Sequence, residues 1–188
     1  RRADRYSDWL ERHGWLDLAL EFYSFCADHL SHRRIGSPQA RIDYFLSRAE
    51  LALELAQVDL ARETLQPVTA LTESARDGRG LARSQLLAGR MALQQDELRE
   101  ARLHLERAGT VAEGMADRLL LMRCQRARAA WWLRWGRGDR ALQVAQSAEN
   151  LAAHFGTEQL APDEFAVLAS RLSRTYLLRG MTRRAASR

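Results

Sequence analysis

One short pattern returns along the chain at near-constant spacing. The strings Leu16-Asp17-Leu18-Ala19, Val58-Asp59-Leu60-Ala61, Leu98-Arg99-Glu100-Ala101 and Gly138-Asp139-Arg140-Ala141 recur, with a degenerate fifth at Thr182-Arg183-Arg184-Ala185; their alanines stand 42, 40, 40 and 44 residues apart. Twelve residues before each alanine lies a small residue, in turn Ser7, Ala49, Gly89, Ala129 and Ser173, and seven residues after the first four lie Cys26, Val68, Ala108 and Ala148. Small residues on facing helices let two backbones approach closely, and a short turn between them makes the helices antiparallel. Each unit therefore reads as a helical hairpin, and the chain as an array of them. A bundle in which alanine is merely frequent has no reason to phase five such pairs.

The rest of the sequence agrees with helix. Ala, Leu, Arg, Glu and Gln dominate, β-branched residues are scarce, and alternating apolar and polar runs are absent. Breaks are expected at His13-Gly14, Arg34-Ile35-Gly36-Ser37-Pro38, Asp77-Gly78-Arg79-Gly80, Gly136-Arg137-Gly138, Phe155-Gly156-Thr157 and Arg179-Gly180. Ser37-Pro38 has the form of an N-cap followed by proline at the first helical position, and Pro162 with Asp163 and Glu164 opens a helix in the same way.

On these residues the chain resembles the tetratricopeptide-repeat family. Gly14, Trp15, Leu16, Asp17, Ala19, Tyr23 and Cys26 carry its pattern in the first repeat; Ala88, Gly89, Ala92, Leu98, Ala101, Leu105 and Ala108 in the third; Ala129, Trp132, Gly136, Asp139, Ala141 and Ala148 in the fourth; Leu172, Ser173, Tyr176, Gly180 and Ala185 begin a fifth. The resemblance implies an all-α fold, a right-handed α-solenoid of antiparallel hairpins. About four and a half repeats would form one domain over 1–188, at 1–35, 37–77, 79–115, 116–156 and 161–188. The period departs from the family's norm of about 34 residues, and the second repeat has Ala56 where the turn glycine is expected. Since small residue and alanine stay twelve apart, the additional residues are expected in the second helix or in the link to the next hairpin. Long-period arrays of this kind are similar to those of bacterial signal-transducing NTPases, LuxR-type activators and large serine/threonine kinases.

The resemblance also implies a concave groove lined by the first helix of each hairpin. Its phase selects Asp4, Asp8 and Arg12, then Asp43, Glu50 and Glu54, then Arg83, Arg90 and Gln94, then Arg123, Arg126, Arg134 and Arg174. Such a face runs from acidic to basic, and residues 1–78 indeed hold 10 arginines against 13 acids while 79–188 hold 19 against 11. All 29 basic residues are arginine. A row of guanidinium forks favours an acidic peptide segment, so Arg83, Arg90, Gln94, Arg123, Arg126, Arg134 and Arg174 are the expected partner-binding residues. The competing reading is a solvated arginine-rich surface.

The absence of lysine excludes P-loop, Schiff-base and kinase-lysine chemistry. No Gly-x-Ser-x-Gly elbow, cysteine signature or paired carboxylates with a recognisable context is present, and His13, His104 and His154 are isolated, so no catalytic residue or cofactor is expected. Cys26, His29 and His32 drift around a helix instead of converging on one ion, so no metal site is expected. Arg137-Gly138-Asp139 spells the integrin-recognition tripeptide, but the repeat independently places Gly and Asp there. Trp132 holds the large intrahairpin position and is expected in the core; Trp131 and Trp135 are expected to pack between hairpins, with an exposed anchor for a partner as the alternative. Dispersed arginines without aromatic interleaving argue against nucleic acid.

Two cysteines, Cys26 and Cys124, stand 98 residues apart, and no apolar run reaches a membrane span or signal-peptide core. The expectation is a cytoplasmic protein with no membrane contact. The chain begins at Arg1 and ends within a helical pattern, so it is expected to be part of a larger bacterial regulator, with possible homo-oligomerisation through its apolar repeat ends.

Overall fold

The computed structural model describes residues 10–152 apart from 12 and 34–36. The chain divides into two compact units, Arg1–Asp117 and Arg118–Arg188. Among the described residues every regular element is a helix. The first unit holds α1 (Leu16–Arg33), α2 (Pro38–Glu54), α3 (Val58–Ser74), α4 (Gly78–Gln94) and α5 (Leu98–Gly114); the second holds α6 (Arg118–Arg134) and α7 (Gly138–Ala152). Within each unit consecutive helices pack together, and α2 also packs on α4. The expected repeat over 161–188, with Ser173 and Ala185, lies outside the described residues, as does Ser7.

From α2 onward the helices start at 38, 58, 78, 98, 118 and 138, a step of twenty residues. Each of α2 to α6 has seventeen residues, leaving three for every turn. The turns share one geometry. Their middle residues Ala56, Arg76, Asp96, Ala116 and Gly136 are left-handed, with φ of 57, 51, 61, 53 and 75°. At the first of them Ala56 N–H donates to Leu53 O at 3.2 Å and Gln57 N–H to Ala52 O at 2.7 Å, the paired closure that satisfies the last carbonyls of a helix. Gln57 O then accepts from Ala61 N–H at 3.1 Å, so the residue that finishes one helix starts the next. The same bonds recur around Asp77, Glu97 and Arg137, and Gly14, with φ of 73°, repeats the closure ahead of α1.

This geometry corrects one expectation and decides between the two alternatives of another. The break expected at Asp77-Gly78-Arg79-Gly80 is the three-residue turn Ala75-Arg76-Asp77, and both glycines lie in the first turn of α4. They serve packing: Gly78 faces the Met115 sulfur, and Gly80 leaves room for the Asp77 carboxylate, which caps Gly80 N–H at 2.9 Å. Secondly, a three-residue link cannot hold the residues beyond the usual period, so the extra length lies in helix. Ser37 behaves as expected: its hydroxyl accepts from Ala40 N–H at 3.2 Å, with Pro38 as the first helical residue.

Except for the half-buried Cys26, the expected seam residues among those described are packed where the spacing puts them. Ala49, Ala61 and Val68 are fully buried between α2 and α3, as are Ala101 and Ala108 on α5 and Ala141 and Ala148 on α7; Gly89 and Ala129 are likewise buried. Around them Ile42, Leu46, Leu53 and Leu65 form the core of the first unit, while Met122, Ala148 and Ala152 form that of the second. Contacts within a hairpin mirror about its turn, as Gly89 against Ala101 and Leu105 does about Asp96, so its helices are antiparallel. Buried hydroxyls stay inside their own helices: Thr64 donates to Leu60 O at 2.7 Å and Ser84 to Leu81 O at 2.8 Å.

A non-glycine residue in the left-handed region costs about 1–2 kcal/mol, offset in part by the greater unfolded-state freedom of glycine. Ala56→Gly should therefore raise stability by about 0.5–1 kcal/mol, and Gly136→Ala should lower it similarly although its added Cβ meets nothing within 4 Å. Urea unfolding measures both. At Gly89 a Cβ would stand 2.7 Å from Leu105 Cδ2. Gly89→Val should cost about 2 kcal/mol or more, and Leu105→Ala, harmful alone, should cost less in that background because the valine fills its space.

Candidate functional site

Parallel packing of α2 and α4 follows from the period. Two helices that start 40 residues apart and run the same way bring residue i beside residue i+40. The charged side chains obey this spacing. Arg83 Nη1 lies 3.1 Å from Asp43 Oδ1, and Arg90 Nη1 lies 3.3 Å from Glu50 Oε1. Gln94 Nε2 donates to Leu53 O at 2.8 Å. A second pairing recurs at the helix starts, where Gln39 Nε2 donates to Asp77 Oδ2 at 2.8 Å and Arg79 Nε contacts Asp117 Oδ2 at 3.1 Å.

Three of the expected partner-binding residues, Arg83, Arg90 and Gln94, thus share one line with the acidic residues expected on the same face. Each spends a donor on the preceding first helix. The acid-to-base gradient becomes, within this unit, a row of neutralised pairs. These pairs are partly solvated, so each is worth about 1 kcal/mol or less. Arg123 and Arg126 sit half-buried on α6 and Arg134 is exposed at its end, all in the second unit. Arg174, Asp4, Asp8 and Arg12 lie outside the described residues. The first unit carries 16 arginines against 19 acids and the second 13 against 5. The whole basic excess therefore belongs to the second unit, well past the midpoint expected from sequence.

The tryptophans follow expectation in part: Trp131 is packed away, Trp132 is less buried than a core position requires, and Trp135 takes the exposed alternative. Trp131 is buried, Trp132 is half-buried, and Trp135 is 46% exposed. Trp135 follows the last residue of α6, so its ring leaves the seam at the turn, but it remains against Trp131 with centroids 5.4 Å apart. The Arg137-Gly138-Asp139 tripeptide is the start of α7, with Gly138 and Asp139 in its first turn. His29 stacks on Phe25 at 5.8 Å. Among the described residues no three His, Cys, Asp or Glu side chains group as a metal site, and no helix is long and apolar enough to cross a membrane.

A shallow cleft of about 450 Å³ opens between α2 and α3, lined by Arg41, Phe45, Pro67, Ala70, Leu71 and Ser74. Pro67, inside α3, removes one helical N–H beside it. The lining is mainly apolar and presents no convergent acid, base and nucleophile of the kind that chemistry requires.

No family model matches the chain, and no curated protein matches it significantly.

His104 is the one histidine whose protonation the fold visibly opposes among the described residues. Burial lowers its pKa below the usual 6.5 and Arg107 adds to that, against the pull of Glu100. Its Nδ1 lies 2.8 Å from Gln85 Oε1, tying α5 to α4 through a neutral ring. A lowered folded-state pKa means that the unfolded chain binds the proton more readily, so stability falls as pH drops through 6.5 and levels off below the folded value. His104→Gln should flatten the acid side of a melting-temperature profile relative to the parent protein.

Proposed function

We propose that this chain is a non-catalytic protein-binding module, a right-handed solenoid of the tetratricopeptide-repeat type within a larger cytoplasmic bacterial regulator. It takes an acidic segment of its partner along the arginines of its first helices. The observation that supports this reading most is the i, i+40 register of α2 and α4, which sets Arg83 and Arg90 in one row beside Asp43 and Glu50. An incoming carboxylate exchanges for Asp43 or Glu50 on a guanidinium that is already held in place. Because each resident pair is worth about 1 kcal/mol or less, exchange costs little, while a bidentate carboxylate on a partner adds contacts along the row. Arg123, Arg126 and Arg134 extend the basic supply in the second unit, and a partner recognised this way leaves no covalent change behind.

The test is fluorescence anisotropy with a short fluorescein-labelled Glu-rich peptide. Arg83→Glu with Arg90→Glu should weaken binding about tenfold or more. Asp43→Asn with Glu50→Gln removes the resident competitors and should tighten it several-fold. Equal affinity for the parent and both variants removes the row from the binding site.

A further inference from the structure

The five turns between α2 and α7 share one backbone, yet one of these five differs from the other four in chemistry. The residue closing the helix is Leu55, Ala75, Gln95 and Met115 in four of them and Trp135 in the fifth. Trp135 is flanked by Arg134, Arg137 and Arg140, all exposed, with Asp139 as the lone acid in that stretch. The equivalent turn between α4 and α5, Gln95-Asp96-Glu97, carries two acids and no arginine. Nor is the ring a loose one. Its neighbour Trp131 is buried and lies 4.4 Å from Trp132 centroid to centroid, so Trp135 rests against an aromatic pair fixed in the α6–α7 hairpin. The backbone beneath it is tied by Trp135 N–H to Trp131 O at 2.9 Å and Arg137 N–H to Trp132 O at 2.9 Å. A large ring already packed on another in the free protein loses less entropy on binding than a free one, and tryptophan and arginine are both enriched where interfaces concentrate their energy.

We propose that the α6–α7 turn is a second contact point for the partner, with Trp135 packing on an apolar side chain that the partner's acidic segment carries between carboxylates, and Arg137 and Arg140 receiving those carboxylates. This rests on the protein-binding reading above but on different residues. The occupant follows from charge and shape: residues 118–152 hold seven arginines against two acids, and the exposed indole face asks for an apolar group in the midst of that field.

The experiment titrates the full chain with three labelled probes: a Glu-rich peptide with a central Phe, the same peptide with Ser in place of Phe, and a dT oligonucleotide. The Phe peptide should bind more tightly than the Ser peptide. Trp135→Ala should abolish that difference, weakening the Phe peptide about tenfold, while Trp135→Phe keeps most of it. Arg137→Gln with Arg140→Gln should weaken both peptides and flatten their salt dependence. Far-ultraviolet circular dichroism and the melting temperature report whether each variant remains folded. Unchanged affinity of Trp135→Ala for the Phe peptide overturns the proposal, as does oligonucleotide binding that depends on Trp135 without discrimination between the peptides. So does self-association in sedimentation that Trp135→Ala removes. If Arg83→Glu with Arg90→Glu abolishes peptide binding and Trp135→Ala does not, the turn fails and the groove stands; the reverse result keeps the turn and removes the groove.

Discussion

The left-handed residue at the centre of each three-residue turn is the constraint from which the other regularities follow. It reverses the chain with two hydrogen bonds back into the finished helix, and the next residue at once accepts the first bond of the new one. With no slack in the link, helix length alone sets the repeat, and α2 to α6 keep the same length. One residue added to a helix rotates everything beyond it by about 100°. It would carry Ala49, Gly89 or Ala129 off the seam and bring a bulky neighbour onto it. Constant length is therefore a packing requirement, and the ion pairs inherit it: Asp43 meets Arg83, and Glu50 meets Arg90, only because two turns and two helices add to the same span each time.

The seam holds side-chain pairs of different total volume at equivalent positions. Ala49 faces a hairpin partner with Leu65, Gly89 faces Leu105, and the equivalent positions in the second unit hold Ala129 and Ala145. Gly89 is the tightest of the three, since there even a methyl group would press on Leu105. Close approach at one point lets the flanking leucines interleave, and each such side chain removed from water contributes about 1.5–3 kcal/mol. That gain is what holds Ala56, Arg76, Asp96 and Ala116 in a backbone conformation that none of them favours.

The sequence carried the seam openly and the turns only in part. Small residues with a fixed interval identify facing helices without any knowledge of their neighbours, which is why every described seam position except the half-buried Cys26 is buried. Gly14 and Gly136 announced their turns because left-handed backbone favours glycine, whereas Ala56, Arg76, Asp96 and Ala116 sit in the same conformation with no local sign of it. Gly78 and Gly80 misled for the opposite reason, being glycine for proximity to Met115 and Asp77 and not for backbone freedom. Arg83, Arg90 and Gln94 were visible by type and phase, but their partners depended on α2 and α4 running parallel in register, a tertiary fact. One sign of it was available: Asp43 and Arg83, and Glu50 and Arg90, are each separated by the same interval as the repeated alanines. Trp135 could not be told from Trp131 by composition, because what separates them is whether the helix has already ended.

The two units differ in how they dispose of charge. In the first unit acids outnumber arginines slightly, and the described arginines Arg79, Arg83 and Arg90 each have a carboxylate at pairing distance. The register position that holds Asp43 and then Arg83 holds Arg123 in α6, and that of Glu50 and Arg90 holds Ala130. α6 has five arginines and no acid, and α7 brings only Asp139 and Glu149. The same repeat scaffold thus neutralises itself in one unit and accumulates positive charge in the other. Field strength at a distance follows net charge, while close-range selectivity follows fixed geometry. On the proposed reading, the net charge of the second unit would supply long-range attraction for an acidic segment, and the fixed spacing of Arg83 and Arg90 on α4 would supply close-range selection.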